Sequence, residues 1–404
     1  MKKLGLIVQK YGGTSLENTE LIFNAAKKAI KDYKEGNNVI VVVSAQGDLT
    51  DRLINKSKEV NNSPSKRELD VLLCAGEQIS ASLMAMAIEK LGFPVVSLLG
   101  WQAGIKTSPI YSDAVIAKID TNRIQKELDK KNIVVIAGFQ GVNKYEDITT
   151  LGRGGSDTTA IGVASTLNAN RCKIYTDVEG VFTADPRYVK NALKLDTISY
   201  DEMLALSTSG ARVLNNRAVE IGKRHNVEIE VLSSTLEKSG TIVKESNNME
   251  KRVVSGVTKS DNIALISVLN LKDELDLSFK LFSKISSKNI DLDTIFQNIK
   301  RNGKRDIFFT VKEEKLGICE KILKEYLQSL ADSPFLETKK DVSQVSIVGA
   351  GIAGHPGVVS KIFEALYTAG IEVITSSSSE IKVSLLVNRK DSEDAVVAIH
   401  DAFF

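Results

Sequence analysis

Over the first 235 residues, short apolar runs alternate with longer amphipathic stretches. Leu4–Val8, Asn38–Val43, Val95–Leu98, Ile133–Ala137, Lys173–Tyr175 and Val227–Val231 read as strands. Leu69–Leu91 and Ser156–Leu167 read as helices. Nearly continuous apolar strands separated by helical patterns predict an α/β unit, a mainly parallel sheet sandwiched by helices. The polar stretch 236–251 reads as a linker. Beyond it the pattern repeats with an offset of 81 residues, which relates Phe282 to Phe363 and Ile290 to Ile371. The first copy reads as strand Leu265–Val268, a helix through Leu277, Leu281, Phe282 and Ile285, strands Ile290–Leu292 and Ile307–Val311, then helix Ile318–Leu330. The second reads as Val345–Val348, a helix through Val359, Ile362, Phe363 and Leu366, strands Ile371–Val373 and Ile381–Val387, then Ser392–Phe403. Two small βαββαβ copies fit paired small-molecule sensing modules ahead of the plainer reading, a duplicated dimerisation device.

A length of 404 residues calls for two or three domains. Lys+Arg 53 against Asp+Glu 51 leaves a net charge of +2, so a general polyanion binder is not expected and no nucleic-acid partner is assigned. Cys74, Cys172 and Cys319 are an odd, scattered set, which excludes a disulfide framework or zinc cage and points to a reducing cytoplasm. The longest apolar runs, such as Val39–Val43 and Ile133–Phe139, are strand length, short of the roughly 20 residues a bilayer demands, so no membrane span is expected. Gln9-Lys10 ends the first apolar run too early for a signal peptide. Three isolated histidines, His225, His355 and His400, argue against histidine base chemistry and a His-rich metal site.

Lys10-Tyr11-Gly12-Gly13-Thr14-Ser15 follows the first strand and precedes a helix near Leu16. Glycines there let backbone N–H groups approach an anion, and Lys10 adds a full charge. Because the lysine precedes the glycines, this is not a P-loop, and an ordinary strand–helix turn fits equally. Leu151-Gly152-Arg153-Gly154-Gly155-Ser156-Asp157 forms a second candidate cradle before a helix, with Ser156 or Asp157 expected as its N-cap. Tyr175–Arg187 offers polar groups, Phe182 and Arg187 to a base or ribose, although an Asp-Pro-Arg turn is common loop chemistry. Glu77 lies inside an apolar helical stretch, where a carboxylate needs a partner and a structural ion pair is the plain explanation. Gly349–Gly354 matches GxGxxG, with Glu372 at the distance of a ribose acid. Its alignment with a first copy lacking those glycines, and the 55 residues that follow Gly349, set a dinucleotide site aside.

These motifs, in this order, resemble aspartate kinase of the amino-acid kinase family over essentially the whole chain. Lys-Tyr-Gly-Gly-Thr-Ser at 10–15 is similar to that family's Lys-Phe-Gly-Gly-Thr-Ser. Residues 151–157 and 175–187 resemble its signature and nucleotide segments. The C-terminal repeat resembles tandem ACT domains, with His355-Pro356-Gly357 typical of the second. The resemblance implies an amino-acid kinase domain over 1–245, a first ferredoxin-like ACT domain over 264–341, and a second built from 246–263 plus 342–404. It implies transfer of phosphate from ATP, with Mg2+, to L-aspartate, the first committed step toward lysine, threonine and methionine. Lys10, Gly12, Gly13 and Ser15 would hold phosphates, and Thr176, Asp177, Phe182 and Arg187 the nucleoside end. Ser44 and Thr50 would border the substrate, Glu77 would take its ammonium group, and Arg153 with Gly154, Gly155 and Ser156 its carboxylate. Asp157 would organise cations or help hold the substrate, and no protein ligand to the metal is assigned. Catalytic and ATP-binding roles also fall to Arg212, where relatives often carry Lys; Asn215-Asn216 stands where many have His-Pro.

For the ACT pair, the resemblance implies an inhibitory amino acid, lysine ahead of threonine, at Asp273, Asp293, Gln297, Asn298, Ser377 and Ser378. Asp273-Glu274-Leu275-Asp276 replaces the Asp-Lys-Pro-Gly frequent in relatives. It also implies a cytoplasmic homodimer formed through the ACT domains, with pairing into tetramers left open. No fused homoserine dehydrogenase is expected. The competing readings are another phosphotransferase of the family, for glutamate or uridylate, and a non-catalytic amino-acid sensor. The intact Lys10, Arg153 and Asp157 set argues against the latter.

Overall fold

The computed structural model describes residues 5–211, 213–245, 252–272, 274–288, 290–298, 303–330 and 334–404. Arg212 and Asp273, both singled out above, lie outside the described residues. The chain forms two compact units. The first comprises Met1–Phe182, Leu193–Thr208 and Arg212–Met249, and the second Thr183–Ala192, Ser209–Ala211 and Glu250–Phe404.

In chain order the first unit opens with β1 (Leu6–Tyr11), α1 (Thr19–Lys34), β2 (Asn38–Val43), α2 (Leu49–Val60) and α3 (Lys66–Lys90). It continues with β3 (Val95–Leu98), β4 (Ile105–Thr107), β5 (Ile116–Ile119), α4 (Asn122–Asp129), β6 (Ile133–Ala137), β7 (Gln140–Val142) and β8 (Ile148–Thr150). Then come α5 (Gly155–Thr166), β9 (Arg171–Thr176), β10 (Thr197–Ile198), α6 (Tyr200–Thr208), α7 (Asn216–His225), β11 (Ile229–Ser233) and β12 (Thr241–Val243). An eight-stranded sheet runs β10-β12-β11-β9-β1-β2-β6-β3. Its pairings are parallel except β11 with β12. The fully buried Val39–Val43 and Ile133–Ala137 explain why these strands show no alternation: both faces are covered. A smaller sheet, β5-β4-β7-β8, has strands of only three or four residues, and the apolar pattern gave no sign of it. The expected linker also needs correction, since Thr241–Val243 inside it pairs with β11 and β10.

By length and composition, α3 is apolar enough to cross a bilayer, although the apolar runs of the sequence suggested no such segment. Its interior carries buried Asp70 and Glu77, and its Ala81, Met84, Ala87 and Ile88 pack into the core between sheet and helices. The length and hydropathy therefore belong to a core helix.

The second unit contains β13 (Gly256–Lys272), α8 (Leu275–Ser286), β14 (Ile295–Gln297), β15 (Lys304–Lys312), α9 (Leu316–Gln328) and β16 (Phe335–Val348). It closes with α10 (Val358–Thr368), β17 (Val373–Ser378), β18 (Lys382–Asn388) and α11 (Ser392–Phe403). One sheet orders them β14-β15-β13-β16-β18-β17. The two long strands pair antiparallel from Gly256↔Val348 to Leu269↔Phe335, so each serves both repeats. The first repeat buries Leu281, Ile285, Phe309 and Leu323 in one core, the second Ile347, Ile362, Leu385 and Ile399 in another. Ala184 and Val189 are built into the second core. There Thr183 accepts from the Val257 amide through its carbonyl (2.7 Å), and its hydroxyl meets His400 Nε2 at 2.8 Å. The outer strands lie later than expected: β14 starts at Ile295 rather than Ile290, whose side chain packs into the core, and β17 at Val373.

Candidate active site

β1 is the central strand, with β2 on one side and β9 on the other. The chain therefore leaves the carboxyl ends of adjacent parallel strands in opposite directions, which opens a crevice there. Strand alternation decides where Lys10 points. Tyr11 Oη donates to Gln9 Oε1 (2.8 Å) and to the Ala25 carbonyl of α1 (3.3 Å). Gln9 Nε2 donates to Asp32 Oδ2 (2.6 Å), which also takes Lys173 Nζ at 2.8 Å. Gln9 and Tyr11 are thus anchored under α1, and period two sends Lys10 to the opposite face. There its Nζ lies 2.6 Å from Asp157 Oδ1, both side chains 12% exposed.

Gly12 and Gly13 then turn the chain. The Gly12 amide donates to the Tyr175 carbonyl (3.3 Å), and Gly47 N donates to the Gly13 carbonyl (3.0 Å). A Cβ on Gly13 would lie 2.7 Å from the Ala45 carbonyl oxygen, so no larger residue fits against the 44–48 loop. Ser15 ends this turn with its hydroxyl buried and unpartnered. Ser44 is half-buried and donates its amide to the Tyr11 carbonyl (3.1 Å), and Thr50 is half-buried in the first turn of α2.

Glu77 reaches the same place from α3. Gly76 allows the approach, since its Cβ would be 2.7 Å from that of Ala45. Glu77 Oε1 accepts from Ala45 N (3.1 Å), and Oε2 is buried with no partner. Burial raises its pKa to about 7, against the opposing pull of the Ala45 amide. Among the described residues Glu77 has no ion-pair partner, so the ion pair expected on general grounds is not formed there. A buried carboxylate with one oxygen unused is instead equipped to receive a cation.

Arg153 is exposed between Gly152 (φ 74°) and Gly154 (φ 69°), both left-handed. The expected cap is corrected here: Gly154 is the N-cap of α5, and Ser156 and Asp157 lie inside the helix, buried. Gly155 fits against Phe139, and Ser156 sits over Gly138 at the end of β6. Thr176 donates to Asp177 Oδ1 (2.9 Å), and Phe182 bridges Lys194. Arg187 belongs to the second unit, where its guanidinium lies against Asp185. Lys10, Gly12, Gly13, Ser15, Ser44, Glu77 and Asp157 thus gather at one end of the sheet, from two strands with the turns that follow them and two helices.

Residues that motif reading missed hold this end together. Asp70, fully buried two turns before Glu77, accepts from Ser112 N (2.9 Å), Ser112 Oγ (3.1 Å), Thr150 N (2.9 Å) and Thr150 Oγ1 (2.8 Å). It fixes β8 immediately before the Arg153 turn. The available signal was a second acid on the same face of one apolar helix.

The effector candidates form two groups. Asp293 is exposed just before β14; Gln297 accepts from Arg305, and Asn298 exchanges hydrogen bonds with Asp306 (2.7 and 2.8 Å). Ser377 and Ser378 lie on β17, at the other edge of the sheet. Among the described residues no group of three or more metal-binding side chains exists.

Comparison with known proteins follows the same lines. The amino acid kinase family model matches residues 5–233, and an ACT domain model matches 345–403. The chain is 46% identical over 401 residues to aspartokinase 2 of Bacillus subtilis, covering 99% of this chain and 98% of that one. It is 42% identical over 403 residues to the aspartokinase of Helicobacter pylori, covering 98% and 99%. The crystal structure of aspartate kinase from Synechocystis is 34% identical, with TM-score 0.56, covering 98% of this chain and 69% of that one. Aspartokinase III of E. coli, solved in complex with aspartate and ADP, shares the fold, with TM-score 0.81 at 22% identity, covering 99% and 100%. A buried lysine–aspartate pair at the carboxyl ends of a parallel sheet, an unpaired buried acid at the same end of that sheet and a match over 98–99% of the chain at more than 40% identity place this chain in the aspartokinase branch of the amino acid kinase family.

Proposed function

We propose that the first unit transfers the γ-phosphoryl group of ATP to the β-carboxylate of L-aspartate, giving ADP and 4-phospho-L-aspartate. The bond from the γ-phosphorus to the β,γ-bridging oxygen breaks, and one to a carboxylate oxygen forms. The observation that carries this reading is Glu77, whose unused buried oxygen suits an ammonium group close to the glycine turn at 12–13. The nucleophile, with an ordinary pKa of ~3.9, is already ionised at neutral pH, so no general base is needed. The work is alignment of two anions and neutralisation of charge.

In this reading Lys10 and the backbone of Gly12, Gly13 and Ser15 hold the phosphates, while Thr176, Asp177, Phe182, Arg187 and Arg212 serve the nucleotide. Ser44 and Thr50 border the reacting carboxylate. Glu77 receives the ammonium group, and Arg153 with Gly154, Gly155 and Ser156 the α-carboxylate. A Mg2+ ion would be held mainly by nucleotide phosphates, with the buried Asp157 beside Lys10 available to organise it. Such an ion would supply charge neutralisation. Trapping with hydroxylamine should give aspartyl hydroxamate, with ADP released on adding aspartate but not glutamate or UMP. No hydroxamate from metal-replete protein across a wide aspartate range would refute the assignment.

The regulatory reading is that kinase, 1–245, and two ACT modules, 264–341 and 246–263 plus 342–404, work as a feedback-inhibited cytoplasmic enzyme at the head of the lysine, threonine and methionine pathway. Lysine is the effector we favour, because the sequence supplies three carboxylates to the first module, at Asp273, Asp276 and Asp293. Gln297 and Asn298 are tied to the neighbouring strand, so Asp293 is the stronger contact. The open strand edges β14 and β17 suit a homodimer through these modules. Calorimetric titration should show lysine binding weakened by aspartate plus a non-hydrolysable nucleotide, by the same factor that lysine weakens aspartate. Lysine binding that ignores the active-site ligands would leave the ACT pair as a dimerisation device.

A further inference from the structure

Arg153 stands on a turn with a left-handed glycine on either side, the least restrained backbone a chain can offer. An arginine that must recognise a carboxylate by geometry needs that turn held from outside. The start of α7 does this. Asn215 Nδ2 donates to the Arg153 carbonyl at 2.8 Å. Asn215 Oδ1 accepts from Ala218 N at 3.4 Å, capping α7. Only this orientation of the amide serves both partners. The packing is tight as well: a Cβ on Gly154 would lie 2.4 Å from Asn215 Nδ2. Two residues on, Arg217 donates to the Leu151 carbonyl (2.7 Å) and the Ala114 carbonyl (2.8 Å), and pairs with Asp113 at 3.1 Å. Alternate carbonyls of the turn, at 151 and 153, are therefore held by one short stretch of α7.

We propose that Asn215 is a positioning residue for aspartate recognition, acting through Arg153; this rests on the reading of Arg153 as the α-carboxylate clamp. The two roles of Asn215 separate by chemistry. Serine is as good an N-cap as asparagine but too short to reach the Arg153 carbonyl, whereas alanine does neither. Asn215→Ser should leave the melting temperature unchanged and raise KM for aspartate about three- to tenfold, the range of one lost hydrogen bond. KM for ATP and kcat should stay within about twofold, because the phosphate cradle lies on other elements. Asn215→Ala should show the same kinetic change plus a lower melting temperature. In an Arg153→Ala background, Asn215→Ser should change nothing further.

An unaltered aspartate KM in Asn215→Ser, or an equal effect with and without Arg153, would overturn the proposal. So would a rise in aspartate KM seen only in Asn215→Ala, in step with lost stability. If Arg153→Ala raises the aspartate KM and Asn215→Ser does not, only the positioning role falls. If Arg153→Ala leaves that KM unchanged, the clamp assignment falls and the positioning role with it.

Discussion

Lys10→Ala should give a folded protein whose kcat has dropped about a hundredfold or more, since a charge acting on the developing transition state is worth that much. The structure says why the loss should be kinetic rather than structural. The β1 strand is anchored through Gln9 and Tyr11 on the α1 face, and Tyr11 also stacks on Tyr175 with ring centroids 4.6 Å apart. Removing Lys10 touches none of these contacts. It does leave Asp157 without its partner, so a modest fall in melting temperature is expected alongside. Steady-state kinetics with circular dichroism separates the two effects. A variant with near-normal kcat and a merely raised KM for ATP would mean that Lys10 binds the ground state and transition state equally.

Acidification should weaken aspartate recognition through Glu77. Its carboxyl titrates near pH 7 because burial penalises the charged form. An acid with a raised pKa is protonated below that value, and a neutral Glu77 cannot pair with an ammonium group. In the free protein, kcat/KM for aspartate should therefore fall about tenfold per pH unit below pH 7 and level off above pH 8. Glu77→Gln should flatten this limb and lower kcat/KM by about thirtyfold or more, as expected for one partner removed from a buried charged contact. A pH profile that keeps its limb in Glu77→Gln would assign the titration to another group.

The sequence displayed those parts of the molecule whose physics is local. Val39–Val43 and Ile133–Ala137 are buried on both faces, so their apolar runs were visible without any partner. The glycine cradles were visible because close backbone approach leaves few alternatives to glycine, as Gly13 and Gly76 demonstrate. Pairings were not visible. Lys10 and Asp157 meet from 147 positions apart, and no spacing encodes that. Asp70, Asn215 and Arg217 each bind backbone groups far along the chain, and those groups carry no residue identity for a motif to record. The three-residue strands of the smaller sheet are too short to show a period of two. Arg187 was grouped with the nucleotide segment through the resemblance of 175–187, and the compact unit changes within that segment, between Phe182 and Thr183.

That crossing has a bearing on how such chains can be taken apart. The segment 183–192 lends Ala184 and Val189 to a core whose other members begin at Val253. A protein expressed as residues 1–245 would carry these side chains with nothing to cover them. One expressed from residue 246 onward would lack part of its own interior. Recombination between relatives at a single junction near residue 246 would face the same mismatch, joining a strap from one parent to a pocket shaped by the other. Regulatory modules of this architecture should therefore be exchangeable only when the 183–192 strap travels with them.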